Sequence, residues 1–138
     1  MIAEIFLDAN VLLYASSNAT EDKTKREQAQ ALMIGAPFAL SAQVLQEYIA
    51  NALRKKQLGI SETNIYAMLE LAATVTVLPV SLDLILASVQ IRRRFQVSHW
   101  DATIIAAALE LGCSTLYSED LNHGQSYDGV KVVNPFLA

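Results

Sequence analysis

Acidic residues with small polar companions stand at two places where apolar runs end. Phe6-Leu7 is followed at once by Asp8-Ala9-Asn10, and Leu116-Tyr117 by Ser118-Glu119-Asp120. Parallel α/β sheets bind their ligands at the carboxyl ends of their strands, so both clusters stand where chemistry is expected. Each also has an ordinary explanation. Asp8 can cap a short helix from Val11 to Ala15, Asn10 can support the turn, and Ser118 to Gly124 has the composition of a surface loop. Two further acids have the same double reading. Glu47 shares a polar helix face with Gln43, Asn51 and Arg54, which is how a solvated face looks. Asp101 completes Ser98-His99-Trp100-Asp101, a capping-box spacing with Asp where Glu or Gln is usual. Asp101 also opens the stretch Ala102 to Leu109, in which Thr103 is the only polar residue. A helix that apolar is buried, so an acid at its start is partly enclosed and needs partners.

The elements that would position these residues alternate between strand-like and helix-like stretches. Ile2 to Leu7, Pro37 to Leu40, Val75 to Leu78, Ser114 to Tyr117 and Val130 to Val133 are short apolar runs of strand character. Between them lie helical stretches: Glu21 to Ile34 behind Thr20, Ala42 to about Gln57 behind Ser41, Ser61 to about Ala73, a helix from Ser81 into Arg92-Arg93-Arg94, and His99 to Leu111. Gly59 and Gly112 mark helix ends. Strands separated by helices of this length pair in parallel and give an α/β sandwich with a central parallel sheet of four to five strands. No internal repeat, low-complexity tract or linker interrupts the 138 residues, which read as a single domain, 1–138.

In a parallel sheet, helix beginnings lie at the same edge as strand carboxyl ends. If the first strand is central, with the second and fourth beside it, Asp8, Glu47, Asp101 and Asp120 converge; composition alone does not fix that order. Two carboxylates about 4 Å apart repel by about 4 kcal/mol at an effective dielectric near 20, so a group of four needs a cation or shared protons. No lysine stands near these acids in sequence. Oxygen-only donors favour Mg²⁺ or Mn²⁺ over Zn²⁺, and the lone Cys113 with two histidines offers no zinc spacing.

Taken in order, Phe6-Leu7-Asp8-Ala9-Asn10-Val11-Leu12, Glu47, His99-Trp100-Asp101-Ala102 and Leu116-Tyr117-Ser118-Glu119-Asp120-Leu121 resemble the PIN domain, and more narrowly the VapC ribonuclease toxins of toxin–antitoxin pairs. The resemblance runs from about Ile5 to Val133. It implies a three-layer α/β/α sandwich with the first strand central. It implies that Asp8, Glu47, Asp101 and Asp120 are the catalytic, metal-binding acids, with Asn10 and Ser118 as accessory polar residues. Asp120 fits the family pattern of hydroxyl, any residue, Asp, although Glu119 stands beside it. The activity implied is Mg²⁺- or Mn²⁺-dependent hydrolysis of RNA phosphodiesters. Arg54, one turn-and-face beyond Glu47, is a candidate contact for substrate phosphate and equally a solvated helix arginine. The partners implied are RNA, a cognate antitoxin and a second copy of the chain. Apolar helix surface at Ile65 to Leu71 or Leu82 to Val89 would serve the homodimer.

Charge and composition bear on these expectations. The net charge is −4, which speaks against general coating of nucleic acid. Setting the four site acids aside leaves equal numbers of acids and bases, and six of the ten bases sit in Arg54-Lys55-Lys56 and Arg92-Arg93-Arg94. The arginine run reads mainly as a solvated helix end complementing the helix dipole. No apolar run reaches the ~18 residues of a membrane span, and Met1-Ile2-Ala3-Glu4 lacks the basic start of a signal peptide. With one cysteine, read as a buried thiol, a cytoplasmic protein is expected. Two other classes also place acids after a first strand. A receiver-like phosphoacceptor domain needs a lysine at the end of a late strand, and Lys131 stands at the start of the last one. A haloacid-type phosphatase needs an aspartate two positions after its nucleophile, where this chain has Asn10.

Overall fold

The computed structural model describes residues 3–137. The first strand, β1, covers Ile5–Leu7; the expected start at Ile2, and the Met1-Ile2 leader reading, lie outside the described residues. Asp8 then caps α1 (Ala9–Ser16), whose mainly apolar sequence is almost entirely buried. A single 3₁₀ turn (Thr20–Asp22) leads into α2 (Lys23–Gly35), so the helix expected from Glu21 starts two residues late. β2 (Phe38–Ser41) is buried throughout, and Ser41 accepts the Val44 N–H to cap α3 (Ala42–Arg54). The helix expected to reach Gln57 ends at Arg54, and Lys56–Leu58 form a separate 3₁₀ turn closed by Gly59 at φ 63°. That left-handed geometry suits glycine.

Ser61 and Asn64 form a reciprocal capping box on α4 (Glu62–Ala72), which leads to β3 (Thr76–Leu78). Ser81 caps α5 (Leu82–Phe95), Ser98 caps α6 (His99–Glu110), and β4 (Thr115–Tyr117) follows. The chain closes with β5 (Ser126–Tyr127) and β6 (Val130–Val133).

The sheet order is β3-β2-β1-β4-β6-β5, so β1 lies between β2 and β4. Five strands are parallel and β5 adds an antiparallel edge, giving six strands rather than four or five. The extra strand is a two-residue hairpin arm turning through Asp128 (φ 52°) and Gly129 (φ 99°). An Asp-Gly turn of this kind is a known hairpin signal, but two residues are too few to show alternation.

With crossovers of the usual right hand, the direction of each step across the sheet decides which face its helices cover. The links β1 to β2 and β2 to β3 step one way across the sheet, while β3 to β4 steps back. Accordingly α1 packs on α2, α3 and α4, whereas α5 packs on α6 and α6 on β4 and β6. The result is the three-layer α/β/α sandwich. Phe6, Leu40, Val44, Tyr48, Ile105, Leu116 and Val132 are among its buried side chains.

Candidate active site

The sheet itself seats the first two polar residues. Past the paired Leu7 and Tyr117, the Asp8 N–H donates to the Tyr117 carbonyl at 3.0 Å and the Ser118 N–H to the Val133 carbonyl at 3.0 Å. Asp8 is only 7% exposed. Its Oδ1 accepts the Ala9 N–H at 2.7 Å and its Oδ2 the Ser118 hydroxyl at 2.7 Å. Ser118 Oγ in turn accepts the Asp120 N–H at 3.1 Å. Asn10 ties the loop after β4 to the start of α1. Its Oδ1 accepts the Glu119 N–H at 3.1 Å, and its Nδ2 lies 3.3 Å from both Ser118 Oγ and Asp120 Oδ2 and 3.5 Å from Asp8 Oδ2. Four of the sequence-predicted residues, Asp8, Asn10, Ser118 and Asp120, therefore form one hydrogen-bonded group.

Burial pushes the Asp8 carboxyl up to about 6. The bonds from Ser118 and Ala9 oppose that shift, while the charges of Glu47 and Asp120 add to it. Glu47 projects from the second turn of α3 and accepts the Gln43 amide at 3.1 Å. A cleft of about 410 Å³ joins Asn10, Glu47, Asn51, Lys55, Glu119 and Asp120. A second recess, of about 360 Å³, is bounded by α2 and α4 and contains none of the candidate site acids.

Glu119 is differently placed from Asp120. It forms an ion pair with Lys25 and accepts the Tyr14 hydroxyl at 3.1 Å, with Lys25 Nζ also 4.5 Å above the Tyr14 ring. Asp120 is exposed. Lys25 comes from α2, 94 residues from Glu119, so nothing in the local sequence announces this pair.

Asp101 sits in the first turn of α6, half-buried, with its N–H bonded to Ser98 Oγ at 3.1 Å. The Gln43 amide reaches the Trp100 carbonyl at 3.5 Å, so the start of α6 meets the start of α3 at the carboxyl edge of the sheet. Among the described residues, no hydrogen bond joins the Asp101 carboxylate to the Asp8 group. The Tyr127 hydroxyl is pushed up by burial and then by the Asp101 charge. Likewise, among the described residues no three His, Cys, Asp or Glu side chains are closed into a ready-made metal cage. The donors present suit a hard cation in kind: they are carboxylate, amide and hydroxyl oxygens, and the charges of Glu47 and Asp120 both bear on Asp8.

The remaining expectations fall outside this group. Arg54 is exposed and donates to Asn51 Oδ1. Arg94 makes two bonds to Asp128 at 2.6 and 2.7 Å. Cys113 is buried and free, its Sγ 3.5 Å from the Ala3 carbonyl. Lys131 is exposed and level with Thr115, the first residue of β4, whereas the acids follow the last. A receiver-like lysine would stand beside them.

A parallel α/β sandwich with an acidic, hydrogen-bonded cleft at its carboxyl edge is the class of protein this chain represents. It belongs to the PIN-domain family, whose model matches residues 5–126. Among solved structures it is similar to a toxin–antitoxin complex from Klebsiella pneumoniae, at 20% identity and a TM-score of 0.68 over 96% of this chain and 98% of that one. It is similar to the sarcin–ricin-loop-cleaving toxin VapC20 of Mycobacterium tuberculosis, at 21% identity and 0.66 over 84% and 89% of the two chains. It is also similar to DNA-bound VapBC from Salmonella typhimurium, at 19% identity and 0.64 over 94% and 96%. No curated protein sequence matches the chain. Among the described residues no helix is long and apolar enough to cross a membrane.

Proposed function

We propose that this chain is a metal-dependent endoribonuclease that hydrolyses RNA phosphodiesters and serves as the toxin of a toxin–antitoxin pair. The observation that carries the reading is the buried Asp8 carboxylate, held by Ser118 and Ala9 with the charges of Glu47 and Asp120 bearing on it, at the strand edge of a PIN fold. Asp8, Glu47, Asp101 and Asp120 would hold Mg²⁺ or Mn²⁺. When bound, the metal would supply a water of lowered pKa and stabilise charge developing on the phosphate.

The chain's own residues have distinct tasks in this reading. Ser118 and the Ala9 N–H fix the direction of the Asp8 oxygens. Asn10 holds the Asp120 loop against Asp8. Lys25 neutralises Glu119, which supports Asp120 as the acid free to face the cleft. Asp101 rests on its place beside Trp100, where α6 meets α3. Arg54, with Lys55 at the far end of α3, would contact substrate phosphates.

RNA as substrate is supported by the likeness to VapC20, and a protein antitoxin by the likeness to toxin–antitoxin complexes. Such a partner would cover the acidic cleft, and its charge complement is a basic side chain. The test is cleavage of synthetic RNAs by the purified chain with Mg²⁺ or Mn²⁺, with chelator, and with Asp8→Asn. Cleavage is expected in the first condition alone. Equal cleavage in all three, or none in any, overturns the reading.

A further inference from the structure

Trp100 is 64% exposed, although an indole is among the side chains that gain most from burial. Among the described residues its ring N–H has no protein acceptor, and the aromatic ring paired with it is that of His99, with centroids 5.2 Å apart in an edge arrangement. It is nevertheless held firmly. The Trp100 carbonyl accepts the Thr103 hydroxyl at 2.6 Å and lies 3.5 Å from the Gln43 amide. Between the indole and α3 is an open, mostly apolar recess of about 350 Å³, lined by Gln43, Gln46, Glu47, Ala50 and Trp100. Glu47 also lines the acidic cleft, so the recess and the cleft adjoin along α3.

We infer that this recess is a subsite for one unpaired nucleobase of the RNA, stacked on the Trp100 indole beside the cleaved phosphate. The inference rests on the nuclease reading and deepens it by assigning a residue that holds a base beside the acids. A flat, exposed π-face next to an acid site is what a base needs, and stacking of this kind tolerates sequence because every base has a face. The two glutamines at the rim supply amide donors and acceptors for a base edge, while Ala50 leaves room beneath. The other end of α3 carries Arg54, Lys55 and Lys56. With a rise of 1.5 Å per residue, Gln43 and Lys55 are about 18 Å apart along the helix. A strand laid along α3 thus meets a stacking surface at one end, the acids in the middle and cations at the other. A duplex, with its bases paired and stacked inside, has no base to offer Trp100.

Trp100 is the only tryptophan in the chain, so its emission reports on this position alone. The experiment has two arms. In the first, the Asp8→Asn variant is titrated with a short mixed-sequence RNA, single-stranded or annealed to its complement, with binding followed separately by anisotropy of labelled RNA. The single strand should quench the tryptophan on binding and the duplex should not. In the second arm, steady-state cleavage by Trp100→Ala should show KM raised roughly 5- to 150-fold with kcat little changed, and Trp100→Phe should restore most of the loss. RNA that binds without changing the emission overturns the subsite, as does a Trp100→Ala enzyme with unaltered KM. The subsite is also overturned if Trp100→Ala cuts RNA normally but loses a protein partner. Failure of the unaltered chain to cut any RNA counts against the nuclease reading, while quenching by single strands still decides the subsite.

Discussion

Asp8 is where the costs of this site are concentrated. Its carboxyl is pushed from an ordinary value near 3.8 to about 6, chiefly by burial. Between those values the folded protein keeps a proton that the unfolded chain has released. The stability this proton confers is therefore full below about pH 4 and lost as pH rises through about 6. A shift of this size corresponds to at most about 3 kcal/mol. Asp8→Asn removes the charge while keeping the shape. The variant should resist urea better than the parent at pH 7 to 8, with the advantage shrinking towards pH 4. A stability difference independent of pH would show that the carboxylate's charge is not what the fold resists. A carboxylate at this site, with Glu47 and Asp120 bearing on it, should attract a divalent cation, so Mg²⁺ or Mn²⁺ should raise the melting temperature of the parent at neutral pH and leave Asp8→Asn unmoved. At this scale the sequence was informative where neighbours are local. Asp8 with Asn10, and Ser118 with Asp120, could be read as pairs after two strands. The Lys25–Glu119 pair could not, because it joins residues 94 apart through the packing of α2.

At the scale of elements, the starts of helices were more legible than their ends. Ser41, Ser61, Ser81 and Ser98 each accept the N–H three residues on, and each was visible as a polar residue before an apolar period. The end of α5 obeys a different rule. Gln96 closes it with φ 58° and its N–H on the Arg92 carbonyl, a left-handed position that normally goes to glycine. A side chain there costs about 1 kcal/mol or more, part of which glycine returns through its greater freedom when unfolded. Gln96→Gly should therefore stabilise the protein by about 0.5–1 kcal/mol, seen as a higher urea midpoint with an unchanged slope. A lower midpoint would mean that the Gln96 side chain contributes contacts worth more than the strain. Strand order was the element-scale property that pattern did not supply. Three-residue strands such as β1, β3 and β4 are too short to reveal their neighbours, and the family resemblance provided what periodicity lacked.

The whole molecule carries more apolar surface than its core consumes. Hydrophobic residues make up 53% of the chain. On α5, Leu84, Ser88 and Ile91 face inward, while Leu82, Ile85 and Leu86 are 70, 40 and 55% exposed. Positions 82, 85, 86 and 89 follow helical spacing, so α5 has an apolar stripe on its outer side as well. The alternative stripe on α4 is largely spent, since Ile65 and Met68 are buried and, of its large apolar side chains, Tyr66 and Leu71 remain exposed. Of the two surfaces considered for a homodimer, α5 therefore has more to gain from a second copy. Stripes of this kind are costly to leave in water, at roughly 25 cal/mol for each Å² of apolar surface that a partner would cover. The isolated chain should run as a dimer in size-exclusion chromatography with light scattering, and Leu86→Glu should make it a monomer by placing a charge in the stripe. Glu at position 86 is on an exposed helix face, so folding should survive, and circular dichroism checks that point. Because Leu86 belongs neither to the Asp8 hydrogen-bonded group nor to the cleft lining, the monomer should cut RNA at the parent's rate per chain. A parent that is monomeric at tens of micromolar would leave the stripe to another partner, and a monomeric variant that has lost cleavage would place the dimer inside the catalytic unit.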